Sequence, residues 1–319
     1  MKIDVFERPL PATPIVRLSG RYDAGQDNEI YIKREDLIPF SFGGNKARKA
    51  AYFYQEIQRE KPDVIMTYGS NSSNHCRIIA NLAAALGLPC HIISAGEEER
   101  GRDGRQLFNR MLVQQFGAVV ETVPVERVHD TIEERLEAFR RDGRKPYFIQ
   151  GGGHGRAGTQ SYVDAFCEIR QQEKEMGITF SGIFHASGTG STQAGLVCGK
   201  EQCGTEHEIV GISIARDGQR GREVVKQSIL DYLGRHRELF REEDLIFVDS
   251  YRQGGYGKFT PAEEECLRSV MRQDGIPMDT TYVGKAFYGM LQYLRAGGIH
   301  GERILFLHTG GTPLFFDRL

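Results

Sequence analysis

The sequence predicts an α/β protein with two open-sheet lobes around a cleft, and three observations carry that prediction. Short apolar runs rich in Val and Ile alternate with longer helix-forming runs from Glu29 onward. The alternation restarts after Phe180, and turns rich in Gly, Ser and Thr follow apolar runs in both halves. A chain of 319 residues is long enough for one large α/β unit or two lobes. Its 39% hydrophobic and 26% charged residues exclude a disordered chain, and its 38 glycines show no collagen or repeat period. With 41 Lys and Arg against 43 Asp and Glu there is no global basic field for nucleic acid, while a local cationic pocket for a small anion stays possible.

In chain order, EIYIK from Glu29 to Lys33 alternates as a strand and leads into REDLIPFSFGGNKARKA. There a glycine pair precedes a helix-forming run through Gln58, which puts Lys46 near a helix start. PDVIMTY (62–68) reads as a buried strand, GSNSSNH as a polar turn and RIIANLAAALG as a helix. LPCHIIS, LFNRMLVQQFG and AVVETVP continue as strand, helix and strand, followed by a charged helix over about 130–140 and a strand over 147–150. After the turn GGGHGRAG a helix is expected over 161–174, so the first lobe ends between about 150 and 165. The second lobe opens with the strand TFSGIFHA, the loop SGTGST, the helix QAGLVCGK and the strand EIVGISIA. Helices are expected around 222–234 and 261–273, before the strand RILFLH delivers the turn TGGTP.

The start, MKIDVFERPLP, has charge and Pro where a signal peptide needs an apolar run, and no stretch approaches the roughly 20 apolar residues of a spanning helix. Six scattered cysteines include no CxxC pair. A soluble, cytoplasmic protein without contact to membrane or nucleic acid is the expectation.

HASGTGSTQAGL (185–196) combines glycines, hydroxyls and a helix start after a strand, so its N–H groups and helix dipole could cradle a phosphate. It lacks the GK[ST] ending of a P-loop and the GxGxxG of a dinucleotide site, and a purely structural tight turn is the alternative. Lys46 in GGNK could be an amine that loses hydration in a cleft and attacks an aldehyde, or a solvated surface charge. Ser73 and Asn74 at a strand-to-helix turn could point at a carboxylate or ring hydroxyl, or serve as helix caps. His75 could be a base, a pocket donor or a core histidine; Tyr256 and Tyr282 lie beside glycines and could reach a ligand or anchor the core. His154, His185 and His308 lack zinc-site spacing, and no metal is expected.

Taken together, FGGNKARK, SNHCR, SGTGSTQAGL, GYGKFT, YVGKA and HTGGTP resemble, in order and across nearly the whole chain, the pyridoxal-phosphate-dependent D-cysteine desulfhydrase and 1-aminocyclopropane-1-carboxylate deaminase family. The resemblance implies the tryptophan synthase β-like fold, PLP fold type II. It divides the chain into a smaller lobe over 48–160 and a larger PLP-binding lobe from 1–47 and 161–319, assembled as a homodimer. Lys46 then resembles the Schiff-base lysine, Asn74 the residue beside the ring hydroxyl, and Ser187, Gly188, Thr189, Gly190, Ser191 and Thr192 the phosphate loop. Ser73, Asn74 and His75 resemble the substrate-carboxylate region, and Tyr256 and Tyr282 the pocket tyrosines; Lys46, Ser73, Tyr256 and Tyr282 are the expected catalytic residues.

The deaminases place a glutamate after the second tyrosine to keep the pyridine nitrogen protonated; this chain has Val283. Thr309 resembles the desulfhydrases' neutral partner at that nitrogen. The resemblance therefore implies β-elimination from a β-substituted amino acid, foremost D-cysteine to pyruvate, ammonia and sulfide. Cyclopropane opening, a related sulfo-lyase reaction and β-replacement remain alternatives. The segment 149–162 departs from the family pattern at Gln150 and His154, which bears on the substrate. A non-enzyme alternative keeps only the anion loop and binds a phosphorylated metabolite as a regulator. An oxidoreductase is disfavoured by the missing GxGxxG.

Overall fold

The computed structural model describes residues 6, 10–20, 22, 27–97, 99–101 and 104–317; most of MKIDVFERPLP lies outside them. Strands β1 (Ile15–Arg17) and β2 (Glu29–Lys33) come first, then helix α1 (Asn45–Glu60). Next are β3 (Val64–Ser70), α2 (Asn74–Leu86), β4 (Cys90–Ala95), α3 (Phe108–Gln115), β5 (Val119–Val123), α4 (Val128–Arg141) and β6 (Pro146–Ile149). Helix α5 (Arg156–Met176) leads to β7 (Gly182–Ser187), α6 (Ser191–Cys203), β8 (Glu208–Ser213), α7 (Gly218–Leu233) and β9 (Ile246–Val248). The chain closes with α8 (Pro261–Asp274), α9 (Val283–Ala296), β10 (Arg303–Leu307) and α10 (Thr312–Phe316).

The strands form two sheets, one of four in the order β5-β4-β3-β6 and one of six in the order β1-β2-β10-β7-β8-β9. All pairings are parallel except β1 on β2. In the smaller sheet the chain runs outward from β3 through β4 to β5, then returns to lay β6 on the other side of β3. The larger sheet repeats this: β7, β8 and β9 run one way, and β10 returns beside β7. Each reversal opens a crevice at the carboxyl ends of its two inner strands, where helices diverge to opposite faces. Residues after Ser70, Ile149, Ser187 and Leu307 therefore share the functional region.

Parallel strands covered on both faces should read as continuous apolar runs, and β7 is buried at every position. Helices α5, α6 and α7 supply Phe166, Leu196 and Ile229 to one face of the larger sheet, and α8 and α9 supply Leu267 and Met290 to the other. Ala50 and Phe53 of α1 and Ile79 of α2 cover one face of the smaller sheet, while Ile132 and Leu136 of α4 cover the opposite face. Helix α6 is buried from Ser191 to Lys200. It approaches α5 so closely that a Cβ on Gly195 would sit 2.5 Å from that of Tyr162, and one on Gly199 2.6 Å from that of Phe166.

Four elements were not expected: β1, β9, α9 and α10. Tyr282, read as lying beside a glycine turn, is the N-cap residue of α9. The Asp279 carboxylate accepts from the N–H groups of Thr281 (2.8 Å), Tyr282 (2.7 Å) and Val283 (3.2 Å), satisfying donors that a helix start leaves open. Helices α2 and α5 begin earlier than expected, so His75 is helical. Among the described residues no helix is long and apolar enough to cross a membrane.

Candidate active site

Lys46 reaches the cleft because two glycine turns meet there. Ser41, Phe42, Gly43 and Gly44 all have positive φ (47°, 62°, 62° and 93°), a left-handed reversal that ends at the α1 start. A Cβ on Gly44 would lie 2.6 Å from the Thr309 carbonyl oxygen, and one on Gly310 2.7 Å from the Gly44 Cα. The Asn45 N–H donates to that same Thr309 carbonyl at 3.0 Å. The second residue of α1 is thereby fixed against the turn after β10. Lys46 Nζ donates to the Gly152 carbonyl at 2.9 Å. Burial, which disfavours the ammonium, pulls its pKa down to about 8 against the support of neighbouring Lys49.

The cavity around this amine is about 510 Å³, within the range of small-molecule sites. It is lined by residues from both switch points, including Lys46, Ser73, Asn74, Ser187, Tyr256, Tyr282 and Thr309. Arg216 also lines it, and its guanidinium donates to the Gly188 carbonyl. No Asp or Glu is among the described lining residues. A cavity with cationic walls and no carboxylate favours an anionic occupant.

Gly188, Thr189 and Gly190 connect β7 to α6, whose first residues are Ser191 and Thr192. Ser187 Oγ donates to Gln193 Oε1 at 2.9 Å, so it braces the loop internally. Ser191 Oγ accepts from Lys49 Nζ at 2.7 Å, and Thr192 Oγ1 accepts from Asn45 Nδ2 at 3.2 Å. Lys49 is 1% exposed, and burial together with the Lys46 charge lowers its pKa well below the usual value. A desolvated amine beside a helix start is stabilised by an anion placed there.

Ser73 caps α2, accepting from the Cys76 N–H at 3.2 Å. Asn74 Oδ1 accepts from Asn109 Nδ2 (2.9 Å) and Arg77 (3.3 Å), which turns the oxygen away and leaves the amide's donor end for a ligand. Thr67 Oγ1 donates to the Ile149 carbonyl at 2.7 Å, so its 2.9 Å contact with His75 Nε2 requires Nε2–H as donor. His75 is held neutral, its pKa lowered well below the usual value by burial and by Lys46 and Lys49. His75 is thus an oriented ring with Nε2 committed to Thr67.

Tyr256 and Tyr282 join hydroxyls at 2.6 Å, and Tyr256 also lies 3.3 Å from Ser70 Oγ and 3.4 Å from Ser72 Oγ. One phenol thus bridges the end of β3 and the larger lobe. The loop carrying Tyr256 is held from behind by Lys285, which is fully buried on α9. Its ammonium donates to the carbonyls of Gly255 (2.6 Å), Arg252 (3.0 Å) and Ile214 (3.3 Å).

Val283, read as standing where a ring-nitrogen partner would be, is fully buried among core residues including Leu267 and Met290 and does not line the cavity. Gln150 and His154 line a separate depression with Arg220 and Asp231, whereas Gly151 and Gly152 face the cavity. His154 also lies against the Thr189 backbone and within reach of the Lys46 and Lys49 charges, so the 149–162 departure extends to the wall behind the β7–α6 loop. Lys49, Arg216 and Lys285 were missed. Lys49 had a signal, lying one helical turn after Lys46, and Arg216 follows a strand's carboxyl end, where such sites collect.

The residues present fit pyridoxal phosphate. A depressed-pKa lysine suits its aldehyde, a helix start with a buried amine suits its phosphate, and an amide donor suits its ring hydroxyl. A family model described as pyridoxal-phosphate dependent enzyme matches residues 7–310. The chain belongs to that family. Its cofactor is pyridoxal phosphate. It is 34% identical to a D-cysteine desulfhydrase of Klebsiella pneumoniae (strain 342) over 331 residues, covering 99% of this chain and 95% of the relative. A solved ACC deaminase homologue matches with TM-score 0.82 and 34% identity, over 95% of this chain and 90% of its own. A solved threonine deaminase, at 17% identity and TM-score 0.69, covers 94% of this chain and 92% of its own and shares the fold. The family places the chain among enzymes with the expected fold, which disfavours the regulatory alternative.

Proposed function

We propose that this enzyme is a D-cysteine desulfhydrase-like lyase that eliminates the β-substituent of a small amino acid, yielding pyruvate, ammonia and, from D-cysteine, sulfide. The observation that carries this reading is a cavity with a nucleophilic lysine, anion-binding walls and no carboxylate among its described lining residues. Bound there, pyridoxal phosphate supplies the carbonyl that captures an amine and the conjugated ring that accepts electrons from the α-carbon. Lys46 would hold the cofactor, and its amine, with a pKa of about 8, is suited to accept the α-proton near neutrality. The N–H groups from Gly188 to Thr192, with Ser191 oriented by Lys49, would hold the phosphate, and the Asn74 amide would donate to the ring hydroxyl.

Ser73 and the α2 start receive the substrate carboxylate, with Asn74 and neutral His75 shaping that wall. The paired hydroxyls of Tyr256 and Tyr282 face the substrate side, where one can donate to the leaving group while the other keeps it oriented. Thr309 lies at the turn that meets α1 and lines the cavity, where its hydroxyl would be a neutral partner for the ring nitrogen. A neutral partner stabilises a protonated ring less than a carboxylate does, which favours direct expulsion of a leaving group over cyclopropane opening. Residues 48–160 form the smaller lobe of this site and 1–47 with 161–319 the larger; the working form is a cytoplasmic homodimer.

Product analysis tests this reading. Incubation of holoenzyme with D-cysteine or β-chloro-D-alanine is expected to yield pyruvate, with 2-oxobutyrate from 1-aminocyclopropane-1-carboxylate at least about 100-fold slower, a difference of roughly 2.7 kcal/mol in barrier. Preferential release of 2-oxobutyrate would make the deaminase reading correct, and a substituted amino acid formed with added thiol would indicate β-replacement.

A further inference from the structure

Cys167 of α5 and Cys203 at the end of α6 are both exposed, and their sulfurs lie 3.7 Å apart. This meeting follows from how the two helices pack. Gly195, Gly199 and Cys203 recur every fourth residue on the α6 stripe facing α5, and the two glycines let the backbones approach at Tyr162 and Phe166. One turn further, Cys203 meets the residue after Phe166. The other four cysteines are less accessible: Cys76, Cys90 and Cys198 are buried, and Cys266 is half-buried on α8.

We propose that Cys167 and Cys203 form a redox-active dithiol that closes to an intramolecular disulfide on exchange with small disulfides. The thiolate of one cysteine attacks a sulfur of RSSR, forming a mixed disulfide and releasing RS⁻, which takes up a proton. The second cysteine loses its proton and attacks the protein sulfur of that mixed disulfide, releasing a second RS⁻. Two protein thiols are oxidised and one RSSR is reduced to two RSH, so no further electron acceptor is required. Burial and the adjacent Cys203 raise the Cys167 thiol to about 11, so exchange through this sulfur accelerates with rising pH. The closed bond spans 36 residues and ties α5 to the end of α6 remote from the Gly188–Thr192 loop.

Holoenzyme treated with oxidised glutathione at pH 8 tests the proposal. Thiol titration after denaturation in acid is expected to fall from six to four, and non-reducing peptide mass spectrometry to show one Cys167–Cys203 link reversed by dithiothreitol. Closing a loop of this length is expected to raise Tm by about 5 °C. Cys203→Ser, at an exposed site, should instead retain a single glutathione adduct on Cys167 with no rise in Tm. Six unreacted thiols, stable adducts on both sulfurs of the wild type, or a link between two chains would each overturn the proposal.

Discussion

At Lys46, position and protonation come from the same packing. The amine sits where the FSFGGN reversal abuts the turn after β10, and the burial that results brings its pKa down to about 8. Apo-enzyme should therefore capture pyridoxal phosphate faster as pH rises, because the neutral amine is the nucleophile and its population grows through pH 8. The rate of appearance of the cofactor's visible band, measured from pH 6 to 10, should show this midpoint; a flat profile would contradict the assignment of Lys46. Lys46→Ala should lower turnover by at least about 1000-fold, the scale of losing a group that both anchors and transfers a proton, while leaving phosphate-loop contacts in place.

Among the elements, α9 orients the two tyrosines that line the cavity, Tyr256 and Tyr282. Asp279 caps its start at Tyr282, and Lys285 ties the Tyr256 loop to the end of β8. Lys285→Met should reduce kcat/KM about 10- to 100-fold through misplacement of Tyr256, with cofactor affinity little changed. Steady-state kinetics beside a spectral cofactor titration checks this, and equal loss in both would point to general unfolding. This helix was also the main element that sequence reading missed. Its apolar residues at 283, 286, 287, 290, 291 and 294 have helical spacing, interrupted by Gly284 and Gly289, which weaken a helix pattern. A Cβ on Gly284 would come 2.5 Å from the Asp279 carbonyl oxygen and one on Gly289 2.7 Å from Ile212, so both glycines serve close packing within the helix. Strands β1 and β9 are three residues each and owe their state to pairing with β2 and β8, which local pattern does not reveal. The alternating βα core was legible because its buried strands and amphipathic helices are separated by clear turns. The SGTGST loop stood out locally as an anion-binding candidate, whereas Lys46 gained its weight only from the family resemblance across the chain. Lys285 acts through carbonyls distant in sequence, and no local signal marks such contacts.

Over the whole molecule, the two sheets bring their switch points to one cavity, and a buried ionic network joins the elements beneath it. Arg48 on α1 pairs with Glu35 after β2 (2.6 Å) and with Glu168 on α5 (3.0 Å), which also receives Lys33 Nζ at 2.5 Å. Burial opposes ionisation of Glu35, but Arg48 outweighs it and holds the carboxyl at about 2. A depressed carboxyl pKa contributes stability above its unfolded value near 4.5 that is lost as pH falls toward about 2. Arg48→Met should cost about 3–5 kcal/mol near neutrality by stranding the carboxylates, and that deficit should shrink in the acid range. Urea unfolding at pH 7 and pH 4 measures it. On this scaffold the proposed chemistry rests on Lys46 as the cofactor-holding amine and on expulsion of a β-substituent from D-cysteine. The most direct test is the visible spectrum of wild-type holoenzyme during addition of D-cysteine, with pyruvate and sulfide followed in the same sample. The cofactor band is expected to shift on mixing and to return as the amino acid is consumed, with equimolar products, and to show no such cycle in Lys46→Ala. A band that never responds, or a cycle that persists without Lys46, would contradict it.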